Sequence, residues 1–210
     1  MQTDNEITLS YNKTIEILKS SNEDLKPFAI LNLNEVKSDD FELVIGHLTN
    51  CDGRIREVVS MKLLELEGLK EKHFEKIIDA LCDVNPNVSR NIVELIRVKK
   101  LDLFDGLVKR IGRILDEIEA MSRPKKWKTQ KNHLLNKKFF KLYWCLEGLL
   151  VCFREDEELA RILRISADFD DYTIREKAAK IVAQMENPPD DLVLKLQNDE
   201  NFYVRNAFVV

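Results

Sequence analysis

The chain has 210 residues, 44% hydrophobic and 33% charged, with a formal net charge of −4. Its 6 Gly and 5 Pro are too few for a strand-rich fold, and its apolar content is too high for a disordered chain. No apolar run reaches the roughly 18–20 residues of a membrane span, and the polar start MQTDNEITLS does not form a signal sequence. Composition therefore predicts an all-α protein in the cytoplasm.

The predicted helices come in pairs, and one short motif recurs at the start of the second helix of each pair. The motif is Asp or Asn, two variable residues, an aliphatic residue and, in four of five copies, Lys or Arg. Asp and Asn are good N-caps because their side chains accept from free amide groups of the first helical turn. Intervals of 30, 33, 86 and 30 residues indicate a repeating helical hairpin. The five copies begin at Asn22, Asp52, Asn85, Asp171 and Asn201.

The helix before each motif also repeats, at a constant offset of 33 residues. Its apolar positions are Phe41, Val44, Ile45 and Leu48 in one copy and Phe74, Ile77, Ile78 and Leu81 in the next. Apolar stripes follow the motifs too, so we expect Ile55, Ile92 and Ile174 in the core. A single domain spanning 1–210 is predicted, with six hairpins at 5–32, 39–66, 72–98, 102–153, 156–185 and 189–210.

The segment from Asp171 to Ala179, DYTIREKAA, resembles the second helix of HEAT repeats, which typically opens with Asp-x-x-Val-Arg and small apolar residues. The segment from Cys51 to Val59, CDGRIREVV, is the next best match. The resemblance covers most of the chain and implies a right-handed αα-solenoid whose second helices line a concave face. It also implies that Arg56, Arg175 and Arg205 brace neighbouring repeats, with ligand contact as the alternative.

The fourth hairpin is predicted to be enlarged by a basic insertion at 121–141. Two long helical patterns, at about 102–121 and 132–153, flank the segment MSRPKKWKTQK. Eight basic residues and no acidic ones lie between Arg123 and Lys141, which leaves −12 for the rest of a chain whose total charge is −4. Aromatic residues, including Phe140, are interleaved with them. The candidate binding residues are Arg123, Lys125, Lys126, Trp127, Lys128, Lys131, Lys137, Lys138, Lys141 and Trp144.

Lysines in the first turns of a helix oppose its macrodipole, so a negative group should compensate them. That group is either an external anionic partner or the internal acidic run at 155–158, and the sequence leaves both open. Basic residues beside aromatic rings are typical of nucleic-acid surfaces. An acidic protein surface suits them equally, and the net acidity elsewhere argues against a general nucleic-acid coat.

No phosphate-binding loop, nucleophile motif or metal-ligand spacing occurs in the chain, so we expect no cofactor and no catalytic residues. The four cysteines lack a CxxC pair and are each expected to be buried free thiols: Cys51, Cys82, Cys145 and Cys152. The favoured function is a non-enzymatic protein-interaction scaffold that uses the concave face and the basic inserted hairpin. Alternatives are a nucleic-acid-binding repeat protein and, less favoured, a helical-repeat DNA glycosylase or a lyase or regulatory subunit built on a short HEAT array.

The last nine residues, 202–210, include seven apolar ones. A solenoid needs a polar outer face on its terminal unit. We therefore expect either an open end, which continues in a longer array or binds another subunit and so favours self-association, or a local fold-back of Phe208, Val209 and Val210.

Overall fold

A computed structural model describes residues 8–121 and 133–209. These residues form twelve α-helices joined by loops and short 3₁₀ turns, with no strand among them, which confirms the all-α prediction. None of the described helices has the length and apolar character needed to cross a membrane. The helices are α1 (Tyr11–Lys19), α2 (Lys26–Leu31), α3 (Phe41–Gly46), α4 (Gly53–Lys62), α5 (Phe74–Leu81), α6 (Pro86–Lys99), α7 (Phe104–Glu119), α8 (His133–Val151), α9 (Glu157–Ala167), α10 (Tyr172–Val182), α11 (Asp190–Gln197) and α12 (Phe202–Arg205).

The helices pack in two rows, and each of the six sequence-defined hairpin ranges contains one helix from each row. In the even-numbered row, α2 contacts α4, and the contacts continue in order through α6, α8 and α10 to α12. In the odd-numbered row, α1 contacts α3, the 3₁₀ turn after α3 contacts α5, and α5, α7, α9 and α11 follow. The apolar stripes of both rows meet in one continuous core, where Ile55, Ile92 and Ile174 are buried as predicted.

Four of the five motif copies form the predicted N-caps. The first copy differs, because residues 23–25 form a 3₁₀ turn and α2 begins only at Lys26, so Asn22 makes no side-chain capping bond. The other caps each accept from the amide two residues later: Asp52 from Arg54 at 2.8 Å, Asn85 from Asn87 at 3.0 Å, Asp171 from Thr173 at 3.0 Å and Asn201 from Tyr203 at 2.9 Å.

Arg56 links the second and third hairpins. Its guanidinium donates to both carboxylate oxygens of Asp83, at 2.6 and 3.0 Å, and to the carbonyl oxygen of Asn50 at 2.7 Å. Asp83 also accepts from the backbone N–H of Asn85, the cap of α6, at 2.7 Å. One arginine therefore joins the loop before α4 to the loop before α6.

Arg175 repeats this arrangement between the fifth and sixth hairpins. It donates to both carboxylate oxygens of Asp199, at 2.7 and 3.0 Å, and to the carbonyl oxygen of Phe169 at 2.7 Å, while Asp199 accepts from the Asn201 N–H at 2.8 Å. Arg56 and Arg175 thus each connect two adjacent hairpin ranges, as the expected bracing role requires. Arg205 is exposed and donates to the carbonyl oxygen of Asp199 within its own hairpin.

The C-terminal segment is partly covered. Val204 is buried and Phe208 packs against the edge of the core, whereas Phe202, Tyr203 and Val209 are exposed. Val210 lies outside the described residues. Local burial therefore accounts for part of this apolar segment and leaves three of its side chains on the surface.

Candidate functional site

The described part of the basic insertion lies on α8. Lys137, Lys138, Lys141 and Trp144 lie within the first twelve residues of this helix. The other predicted binding residues lie outside the described residues: Arg123, Lys125, Lys126, Trp127, Lys128 and Lys131. The candidate site is therefore built from the first two thirds of α8 and the helices that pack against it.

A groove of about 460 Å³ lies between α6, α8 and α10. Its polar rim includes Arg90 on α6, Asn136 on α8, and Asp171 and Thr173 at the start of α10. Four aromatic rings of α8 line it, and we call it the aromatic groove: Phe139, Phe140, Tyr143 and Trp144.

Trp144 forms the buried base of the aromatic groove. Only 8% of its surface is exposed, and it packs edge-on against Phe140 at 6.1 Å and Tyr143 at 5.2 Å between ring centroids. The buried Nε1 of Trp144 has no hydrogen-bond acceptor among the described residues. Phe140 and Tyr143 are half-buried and so offer more ring surface to a ligand than the predicted Trp144.

A second depression, of about 480 Å³, lies beside the first along the N-terminal half of α8. It is lined by Cys82 and Val84 after α5 and by His133, Lys137 and Lys141 on α8, and we call it the cysteine pocket. Asn136 and Phe140 line both depressions, so the two are adjacent.

The lysines of α8 differ in their partners. Lys138 forms an ion pair with Glu117 on the preceding helix, α7. Lys137 is exposed and Lys141 half-buried, and no carboxylate of the described residues lies within ion-pair distance of either. Internal neutralisation therefore accounts for Lys138, while Lys137 and Lys141 line the cysteine pocket with no acidic partner in the described parts of the chain.

The acidic run at 155–158 makes contacts elsewhere. Glu155 accepts from the backbone N–H of Glu186 at 2.6 Å, Asp156 caps α9 through the N–H of Glu158, and Glu158 pairs with Arg161 at 2.6 Å. The described lysines of α8 are thus not the partners of this run.

The sequence did not predict Arg90, Asn136, Tyr143 or Asp171 as site residues. Tyr143 could have been found by helical spacing, because it lies three residues after Phe140 on the same helix. Arg90 and Asp171 come from other hairpins and reach the groove only through the packing of α6 and α10 on α8. No local pattern indicates that proximity.

The prediction that every cysteine is buried is wrong for Cys51, which is exposed because it lies in the loop before the cap of α4. Cys82 and Cys145 are buried and Cys152 is partly buried. No group of three or more His, Cys, Asp or Glu side chains in the described parts of the chain has an arrangement that would hold a metal ion. Searches against protein-family models, curated proteins and solved structures return no match to this chain.

Proposed function

We propose that the chain is a right-handed, HEAT-like αα-solenoid that acts as a non-enzymatic binding scaffold. The two rows of helices, the recurring N-caps and the two arginine–aspartate braces support this architecture. Each brace joins equivalent points of adjacent hairpins, as expected of an array in which every repeat contacts its neighbours.

The partner we propose is a protein segment that carries both acidic and apolar side chains. One observation carries this proposal: Lys137 and Lys141, without acidic partners among the described residues, lie beside the aromatic groove. Acidic side chains of the partner would pair with the two lysines. Its apolar side chains would pack on Phe140 and Tyr143, where burial of apolar surface contributes about 25 cal/mol per Å².

A nucleic acid is the second candidate, because half-buried Phe140 lies next to two lysines and could stack on a base. The net acidity of the rest of the chain disfavours it, since a phosphodiester backbone would be repelled outside the basic segment. The protein partner is favoured because a peptide can combine acidic with apolar side chains.

The groove also brings together the Trp, Asp and Arg that a helical-repeat DNA glycosylase would need, as Trp144, Asp171 and Arg90. Two observations argue against a glycosylase site. Trp144 is too deeply buried to stack on an extruded base, and Asp171 Oδ1 accepts from both the N–H and the hydroxyl of Thr173 in its capping role. The scaffold proposal therefore remains the better supported.

Binding of two defined probes would test the proposal. The first is a labelled peptide of alternating aspartate and leucine, and the second a single-stranded oligonucleotide of equal charge. We expect the peptide to bind more tightly, and the variant Lys137→Glu/Lys141→Glu to lose that binding. The control Lys13→Glu/Lys109→Glu makes the same charge change at exposed sites on α1 and α7 and should bind as the wild type does.

Partner capture from native extract, with and without nuclease, complements the probe measurement. Retained proteins that resist nuclease and disappear with Lys137→Glu/Lys141→Glu would support the scaffold. Tighter binding of the oligonucleotide, or capture that nuclease abolishes, would favour the nucleic-acid alternative. Equal binding by Lys137→Glu/Lys141→Glu and Lys13→Glu/Lys109→Glu would show that the lysines of α8 do not contribute to the binding site.

A further inference from the structure

Packing of α5 against α8 brings two cysteines into contact. The Sγ atoms of Cys82 and Cys145 are 3.4 Å apart, although the residues are 63 positions apart in the chain. Cys82 follows the last residue of α5, and Cys145 lies on the inner face of α8. Gly148, about one turn later on α8, permits this approach, because a Cβ there would lie 2.8 Å from Leu81 Cδ2.

The two thiols differ in access and in charge. Cys82 is 7% exposed and lines the cysteine pocket together with Lys137 and Lys141, whereas Cys145 is fully buried and is not among the lining residues. The hydrogen bond from Cys145 lowers the pKa of the Cys82 thiol, and the positive charges of Arg110 and Lys141 add to the effect against the opposing influence of burial. The same hydrogen bond, with burial, raises the pKa of Cys145 well above its ordinary value. The thiol that lines the pocket is thus the more readily ionised of the two.

We propose that Cys82 and Cys145 form a redox-reactive pair, in which Cys82 reacts with a hydroperoxide that enters the cysteine pocket and Cys145 then closes a disulfide. This proposal does not rest on the scaffold function proposed above, although the two sites share Lys137 and Lys141. A thiolate that lines a pocket beside positive charge and lies next to a second thiol has features of a redox-sensing cysteine.

The reaction consists of two successive displacements, the first at a peroxide oxygen and the second at the Cys82 sulfur. The Cys82 thiolate attacks the terminal peroxide oxygen, the O–O bond breaks, and the departing alkoxide takes a proton to leave as an alcohol. Cys82 is then a sulfenic acid. The Cys145 sulfur attacks the Cys82 sulfur and displaces hydroxide, which leaves as water with the proton that Cys145 releases. Two electrons pass from the thiols to the peroxide, and the sulfurs contract from 3.4 Å to about 2.05 Å.

The test uses the full chain with hydrogen peroxide as the probe. Peptide mapping after rapid alkylation should find a Cys82–Cys145 disulfide, with Cys82 consumed roughly tenfold faster than exposed Cys51, because positive charge beside Cys82 favours its reactive thiolate. Cys51 therefore serves as the reference within the same molecule. The background variant Cys51→Ser/Cys152→Ser, which keeps only the proposed pair, should form the same disulfide.

Two further variants separate the roles of the thiols. In Cys145→Ser, dimedone should label Cys82 as a sulfenic acid, and in Cys82→Ser, Cys145 should stay unlabelled. Both thiols remaining reduced in the wild type while Cys51 is oxidised would overturn the proposal, and that readout needs no variant to fold. Dimedone labelling of Cys145 in place of Cys82 would also overturn it, because the attacking thiol would then be the wrong one.

Discussion

Removal of the Arg175 side chain should destabilise the last two hairpins far more than removal of an exposed arginine. Arg175 is 8% exposed and its partner Asp199 is nearly as buried. Breaking a buried ion pair by deleting one partner typically costs 3–5 kcal/mol, because it leaves an uncompensated buried charge. In Arg175→Ala the carbonyl oxygen of Phe169 also loses its donor. We therefore expect a loss of about 3–5 kcal/mol in the free energy of unfolding.

Neutral pH is suitable for this measurement. Burial acts to raise the pKa of Asp199, but the hydrogen bonds from Arg175 and from the Asn201 N–H outweigh it and hold the pKa below its ordinary value. A carboxyl group with a lowered folded-state pKa contributes stability above its unfolded pKa, about 3.9, and loses it as pH falls through the folded value. At pH 7 the full contribution is present.

Urea denaturation followed by circular dichroism would give the loss, with hydrogen exchange to localise it. Because repeats are held mainly by their neighbours, amides of α11 and α12 should lose protection while those of α4 and α6 keep theirs. The matched control is Arg205→Ala, expected to cost about 0.5 kcal/mol or less because this side chain is exposed and its hydrogen bond among the described residues is to a carbonyl oxygen. Equal costs for Arg175→Ala and Arg205→Ala would refute the bracing role.

Three further outcomes are expected. Ile92→Ala should lower the free energy of unfolding by about 2–5 kcal/mol, since Ile92 is fully buried, and a melting temperature within a degree of wild type would contradict this. Burial lowers the pKa of His47, so the unfolded state binds its proton first and stability should fall as pH drops below about 6.5. His47→Gln should weaken this dependence, which urea denaturation at a series of pH values would measure. A peroxide-formed Cys82–Cys145 disulfide should stabilise the chain by about 4 kcal/mol, reversed by reductant, and an unchanged melting temperature would count against it.

The helical class of the chain and most helix starts were predictable because both depend on residues that are close together in the sequence. The caps at Asp52, Asn85, Asp171 and Asn201 are each complete within three residues, and periodicity alone identified Ile92 as a core residue. Local reasoning failed where the backbone departs from the repeat. A 3₁₀ turn delays the start of α2, which separates the predicted first cap from its helix.

The partners of the braces were only half predictable. The motif indicated Arg56 and Arg175, but their carboxylates, Asp83 and Asp199, lie two residues before the next cap. The side chain of the next cap already accepts from the first turn of its own helix. The arginine therefore pairs with a carboxylate in the loop just before that cap. Which carboxylate the arginine reaches depends on the distance between two packed hairpins. That distance cannot be predicted from the local sequence.

By itself, the sequence determined the all-α class, the hairpin period and the concentration of positive charge before and along α8, since each depends on residues close together in the chain. Only tertiary structure decided which charges keep a partner, which rings stay accessible and which thiols meet. Lys138 finds Glu117 on α7, while Lys141 lies beside Cys82 of another hairpin. The physical reason is that helix packing sets these contacts, and it brings Cys82 to Cys145 across 63 residues without any local pattern.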